Sequence, residues 1–282
     1  MKKRREFLKN TILAGASLSL SIPFTLSAAV KNKDNIGIIT NTVGNELKQD
    51  FKGTMQKLAD IGYKCIEGAV PEGVTTDEYK KVLQSFGLRS IATGSSMGSL
   101  QKELDKYLKT AEALGAEYLV CYYPWLSSAT DLKIDEVMET AERINEIGKK
   151  VKEAGFRFAW HNHAKEFVDV EGKLAFDIIM ENTDPKLSTV ELDWYWVVKG
   201  GYDPVDYFKK YPGRFELAHV KDMNNNQDGS ISCVGQGIID FAPMFDASAL
   251  GGVKYFILEN EKSVKGIDCA NVSFKTISNY LS

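Results

Sequence analysis

The sequence predicts an α/β protein built as a single (β/α)8 TIM barrel. Two observations carry this. Short β-rich runs alternate with helical patterns eight times in succession, which implies buried parallel strands. The chain beyond its leader holds about 250 residues, the size of one such barrel. A third observation is negative. The first strand candidate runs into NTVGNELKQD, not into the GxGxxG turn expected of a doubly wound open sheet, the main rival for this alternation.

The elements follow in order. Strands are predicted at NIGIIT (35–40), KCIEGAV (64–70), LRSIAT (88–93), EYLVCYY (117–123), FRFAWHN (156–162), LSTVELDW (187–194), FELAHVKD (215–222) and KYFILEN (254–260). Apolar residues at helical spacing mark FKGTMQKLADIG, LQKELDKYLKTAEALG, IDEVMETAERINEIGKKVKEAG and the closing VSFKTISNYL. Three of these helices end on Gly62, Gly115 and Gly155 and run straight into a strand. That is the pattern of a glycine C-cap.

Residues 1–29 are set apart as an export signal and 30–282 as the barrel domain. Lys2, Lys3, Arg4 and Arg5 form a positive start. A short apolar stretch follows, then the small residues Ser27, Ala28 and Ala29 that suit a signal peptidase. The stretch RREFLK resembles the twin-arginine export signal, which predicts an exported, periplasmic protein with no membrane anchor after cleavage. The whole chain carries −3 and the leader +4, so the mature part is near −7. An acidic surface argues against a nucleic-acid partner. A homo-oligomer is compatible with the sequence. The four cysteines form no CxxC pair and give no metal-thiolate signal. Cys65 and Cys121 lie in apolar runs and are expected as buried thiols. An oxidising compartment would permit disulfides.

In such a barrel the chemistry sits at the C-terminal strand ends. Those ends carry Glu67 on the second strand, His161 and His163 on the fifth, Asp193 on the sixth, His219 with Lys221 and Asp222 on the seventh, and Glu259 on the eighth. All three histidines of the chain fall at strand ends. His161, Asp193, His219 and Glu259 offer two imidazoles and two carboxylates, a set suited to one divalent ion, Mn2+, Zn2+, Co2+ or Fe2+. His163, Glu166 and Lys221, together with Glu259, are the candidates for moving protons. Alternation along the strands puts His161 with His163 and Glu191 with Asp193 on shared faces. Glu67, Trp125, Trp194 and Trp196 are the candidates for holding a substrate, because aromatic faces stack on sugar rings. Packing between barrel and helices is the competing role for at least half of these aromatics. VGQG (234–237) is read as a turn before IIDF rather than as a phosphate cradle.

FRFAWHNHAKEF, VELDWYWVVKGGYDPVDYFKKYPGRF, AHVKDM, VGQGIIDF and YFILENE together resemble the sugar phosphate isomerase/epimerase family, the xylose isomerase-like barrels. The resemblance spans essentially the mature chain. It implies one divalent metal held by residues of strands five to eight, with Asp193, His219 and Glu259 matching the last three positions. The first position in that family is a glutamate in an ENH context; here HNH stands there, so His161 takes its place. The resemblance implies a small-molecule carbohydrate substrate and proton removal beside its carbonyl. Return of the proton gives isomerisation or epimerisation, and loss of a neighbouring group gives dehydration or cleavage of a 3-keto-glycoside. Export favours a free sugar or keto-sugar over a phosphorylated one. Three alternatives stand beside it: a non-catalytic sugar-binding barrel, a hydrolase using metal-bound water, and an endonuclease-IV-like repair enzyme. The last is disfavoured by the few histidines, the acidic chain and the leader.

Overall fold

The computed structural model describes residues 32–127, 131–262 and 266–282. The leader, and the export signal expected in it, lie outside the described residues. Eight parallel strands close into a barrel: β1 (Ile36–Ile39), β2 (Cys65–Glu67), β3 (Arg89–Ser96), β4 (Tyr118–Tyr123), β5 (Arg157–His161), β6 (Thr189–Asp193), β7 (Leu217–Val220) and β8 (Tyr255–Leu258). Each strand pairs with its neighbours in sequence, and β8 closes onto β1 with Gly37 opposite Ile257. All eight runs expected from the sequence are strands. The helices are α1 (Gly44–Gln49), α2 (Phe51–Ile61), α3 (Thr76–Ser85), α4 (Met97–Leu114), α5 (Ile134–Glu153), α6 (Ala175–Asn182), α7 (Trp194–Lys199), α8 (Pro204–Lys210), α9 (Ala242–Gly251) and α10 (Gly266–Tyr280).

The helix ends follow local chemistry. Gly115 closes α4 in the left-handed conformation at φ 72°, as the glycine signal predicts. Asp50 caps α2 through Gly53 N–H at 2.9 Å, and Thr75 caps α3 through Glu78 N–H at 3.2 Å. Aspartate 193 ends β6 and caps α7 at once, so strand passes into helix without a loop.

Two apolar layers hold the fold. Ile39, Cys65, Ile91, Val120, Ala159 and Ile257 fill the barrel, while a larger set including Phe158, Trp160, Phe176, Trp194, Phe208 and Phe245 packs between strands and helices. Cys65 and Cys121 are buried free thiols, as expected. Cys233 and Cys269 form a disulfide. At the N-terminal end of the barrel Tyr118 donates to Glu216 at 2.8 Å and Tyr255 to Glu117 at 2.7 Å, which leaves the opposite mouth for chemistry. Among the described residues no helix is long and apolar enough to cross a membrane.

Candidate metal centre and active site

Four strands deliver one side chain each to a single point. β5 ends in His161, β6 in Asp193, β7 carries His219, and Glu259 follows β8. Their donor atoms all lie within 4.8 Å of one another, and all four residues are buried. His161 Nε2 is 3.1 Å from His219 Nδ1, 3.5 Å from Asp193 Oδ2 and 4.0 Å from Glu259 Oε2. His219 Nδ1 is 3.1 Å from Glu259 Oε2. Bonds of ~2.0–2.1 Å around a tetrahedral ion require donor separations of about 3.3–3.4 Å. The cluster brackets that value.

Each carboxylate commits one oxygen to the fold and turns the other inward. Asp193 Oδ1 accepts from Trp196 N–H at 3.1 Å. Glu259 Oε1 accepts from the Asn41 amide at 2.8 Å. Asn162 clasps the strand behind Asp193, accepting from Asp193 N–H at 2.9 Å and donating to its carbonyl at 3.4 Å. His219 is gripped from its far side. Nε2 lies 3.4 Å from Glu67 Oε2 and 3.3 Å from Glu191 Oε2. An imidazole that donates through Nε2 presents the Nδ1 lone pair to a cation. The residues therefore fit a divalent ion, which would be held by His161, Asp193, His219 and Glu259.

The electrostatics agree with a site built for positive charge. Burial opposes an imidazolium at His219, yet Glu191, Glu67 and Glu259 outweigh it and hold its pKa well above the usual value. Burial would raise the Glu259 carboxyl, but Lys221 and His219 hold it well below the ordinary range, so it is ionised. Lys221 is buried with its ammonium 2.6 Å from Glu259 Oε2, 3.1 Å from Asp193 Oδ2 and 3.2 Å from Glu261 Oε2. Those carboxylates overcome burial and raise its pKa. Burial, then the neighbouring His161, lowers His163 to about 3. Glu191 goes the other way: burial and the adjacent Glu67 raise its carboxyl well above the usual range.

A cavity of about 920 Å³ opens over this cluster. His161, His163, His219, Lys221, Glu259 and Trp196 all line it. Five other predicted site residues do not: Asp193, fully buried within the donor cluster, and Glu67, Glu166, Trp125 and Trp194. Glu67 sits behind His219, as above, and is a brace rather than a substrate contact. Glu166 lies behind His163. Its Oε2 accepts from His163 N–H at 2.7 Å and its Oε1 from Trp125 Nε1 at 2.6 Å, so it fixes the β5 loop instead of reaching substrate. Burial pushes its carboxyl up to about 7. Trp125 is buried as the partner of Glu166, with the Lys165 ammonium 4.8 Å from its ring centre. Trp194 faces the helix layer, where Phe208, Phe241, Phe245 and Phe256 surround it at 5.1–6.3 Å between ring centres. Its position on the first turn of α7 turns it away from the mouth, while Trp196 stands over the site 5.6 Å from His163.

The VGQG turn has a different partner from phosphate. Gly235 and Gly237 N–H groups donate to Asp222 Oδ2, each at 2.9 Å, and Ile239 N–H donates to Oδ1 at 3.1 Å. A Cβ at Gly237 would stand 2.3 Å from that carboxylate, which explains the glycine.

The chain matches the family model of the xylose isomerase-like TIM barrel over residues 55–268. The chain belongs to that family. It is an enzyme of this class, whose named members include sugar isomerases, epimerases and dehydratases. An inosose dehydratase from Lacticaseibacillus casei is 23% identical over 261 residues, covering 83% of this chain and 81% of the relative. The crystal structure of a sugar phosphate isomerase/epimerase from Parabacteroides distasonis superposes with TM-score 0.76 at 24% identity, covering 93% of this chain and all of that one. The IOLI protein, solved with a zinc atom, superposes with TM-score 0.69 at 15% identity over 88% of this chain and 98% of its own.

Some site residues escaped the sequence reading. Glu191 stands two residues before Asp193, and the strand alternation that puts both on one face is the signal for it. Asn41 and Glu261 line the cavity from the β1 loop and the residue two past Glu259, and nothing local marks them.

Proposed function

We propose that this enzyme removes a proton from the carbon beside the carbonyl of a free sugar or keto-sugar, with one divalent metal at the four-residue centre, and that it does so outside the cytoplasm. A divalent ion bound there would supply positive charge at the substrate oxygen and make the adjacent C–H more acidic. The observation that carries the reading is the contact of ionised Glu259 with the Lys221 ammonium at 2.6 Å on the cavity wall, beside the donor cluster. Glu259 is the proton acceptor. Lys221 Nζ is the proton donor. Trp196 offers a ring face for the sugar, and neutral His163 offers hydrogen bonds without adding charge.

This arrangement favours elimination over isomerisation. Isomerisation and epimerisation need a second proton carrier over the neighbouring carbon or the opposite face. The β5 position that would supply a glutamate holds His161, and His161 points into the donor cluster. A base and an acid in contact with each other suit loss of a β-substituent as dehydration or glycoside cleavage. The inosose dehydratase relatives support the same direction. The leader and the Cys233–Cys269 disulfide support export.

The test is a panel of keto-sugars and 3-keto-glycosides with metal-loaded enzyme in D2O, followed by NMR. The expected result is metal-dependent C–H exchange or elimination, lost in Glu259→Gln. Absence of both from the loaded wild type across the panel would contradict the proposal. Uptake of solvent oxygen without C–H exchange would instead identify a hydrolase.

A further inference from the structure

The cavity is larger than the reaction needs. At about 920 Å³ it is near the top of the ~300–1,000 Å³ range that takes drug-sized ligands, several times what one pyranose ring fills. Its inner end is polar: His161, His163, His219, Lys221, Glu259 and Glu261. The rest of its lining is mixed. Leu47 of α1, Phe51 at the start of α2, and Val70, Pro71 and Val74 of the β2–α3 loop contribute apolar surface, while Thr40, Asn41, Ser95 and Ser96 contribute polar groups. The charged side chains of the same α1 and β2–α3 segments, Lys48 and Glu72, are exposed at the rim.

The apolar surface is held in place. Gly68, at φ 118°, turns the chain sharply after β2, and a Cβ there would stand 2.2 Å from Thr40 Oγ1. Only glycine lets the β2 loop close against the end of β1. Phe51 is backed by Tyr79, with ring centres 5.6 Å apart, so it is braced before any ligand arrives. A second sugar set against Leu47, Phe51, Val70, Pro71 and Val74 would leave the hydroxyls on that face against carbon, where they lose water without a replacement partner. An apolar, flat group meets no such penalty and covers apolar surface.

We infer that this apolar surface is a subsite for an apolar, preferably aromatic, aglycone, so that the substrate is an aryl 3-keto-glycoside rather than a free sugar. This rests on the elimination reading above and extends it to the leaving group. In the step, the C2–H bond beside the C3 ketone breaks and its proton goes to Glu259. The C1–C2 double bond forms as the C1–O bond to the aglycone breaks. The departing oxygen takes the electron pair and a proton from Lys221. Lys221 is reprotonated by Glu259 across their 2.6 Å contact. The products are a 2-hydroxy-3-keto-glycal and the free phenol or alcohol, and no water or oxidant is consumed.

The experiment compares the 3-keto derivatives of methyl and phenyl glucoside, both anomers, by turnover and by calorimetric binding to the metal-loaded full chain. The expected result is at least tenfold lower KM and Kd for phenyl than for methyl, as burial of one ring implies. Phe51→Ala and Val74→Asn should each bring that ratio close to one. Val74 is a partly buried loop residue outside the helices and strands, so its variant is the milder of the two if Phe51→Ala does not fold. Equal constants for the two compounds in the wild type, or a ratio untouched by both variants, would overturn the subsite. If neither compound is consumed, the elimination proposal fails. Calorimetry then still decides the subsite: tighter phenyl binding that depends on Phe51 or Val74 supports it, and equal or absent binding overturns it.

Discussion

Replacing both Cys233 and Cys269 with serine should cost this protein about 3.8 kcal/mol. The disulfide joins the segment after β7 to the first turn of α10, across a sequence separation of 36. Cross-linking a loop of that length removes unfolded-chain entropy of about 13 cal/mol/K, or ~3.8 kcal/mol at 25 °C. Native contacts around the bond are already formed. Val234 N–H donates to Ser273 Oγ at 3.0 Å, and the Asn260 amide lies 3.3 Å from Cys269 Sγ. The double variant therefore loses the cross-link without losing its neighbours. For a barrel of this size each kcal/mol shifts Tm by about 2–4 °C, so the loss is roughly 8–15 °C. The assay is thermal and urea unfolding of oxidised wild type, reduced wild type and the double variant. Reduced wild type and the variant should coincide, both well below the oxidised form. Three coincident curves would refute the reasoning, because the two cysteines would then not be bonded in the folded protein. A bond that survives in the isolated protein also bears on export, since cytosolic thiols stay reduced.

Trp194 and Trp196 should separate cleanly. Trp194→Ala opens the helix layer and should cost about 3–5 kcal/mol in denaturant titrations with little change in KM. Trp196→Ala should raise KM for the keto-sugar with stability near wild type. Glu67→Gln should weaken metal affinity by about 10–100-fold through its grip on His219 Nε2, measured by competition with a chelating dye. Two groups of the β5 loop make opposite contributions to acid stability. His163 is held at about 3 when folded, so the unfolded chain binds its proton first and stability falls as pH drops below about 6.5. Glu166 is raised to about 7, so its contribution is full below the ordinary carboxylate range and is lost as pH rises through 7. Between pH 7 and 5 each amounts to about 2 kcal/mol. His163→Gln should make that pH change about 2 kcal/mol more favourable to folding than in wild type, and Glu166→Gln about 2 kcal/mol less. Parallel pH profiles for all three proteins would contradict both assignments.

The barrel was legible because its signals are local and repeated. Glycines such as Gly62, Gly115 and Gly155 mark several helix-to-strand passages, and one sequence period yields one βα unit. The donor set was legible because a barrel sends strand ends to one axis, so His161, Asp193, His219 and Glu259 needed only their strand positions. Which face a residue beyond the strand end takes is not local. Trp194 and Trp196 differ by two positions. One turn of α7 sends the first into the Phe208–Phe245 layer and the second over His163. Glu166 reads as a free carboxylate next to HNH, and only the fold brings Trp125 to it from β4. The pairing of Cys233 with Cys269, and the wrap of VGQG around Asp222, depend on where α10 and the β7 loop meet in space. No spacing in the sequence encodes either.

Metal content is the measurement that tests the account most directly. Elemental analysis of the purified protein, beside His219→Ala and Glu259→Ala, should find about one divalent ion per chain in the wild type and none in either variant. A wild type that stays metal-free after incubation with Mn2+ and Zn2+ would contradict the metal centre, and the barrel would then be better read as a sugar-binding protein.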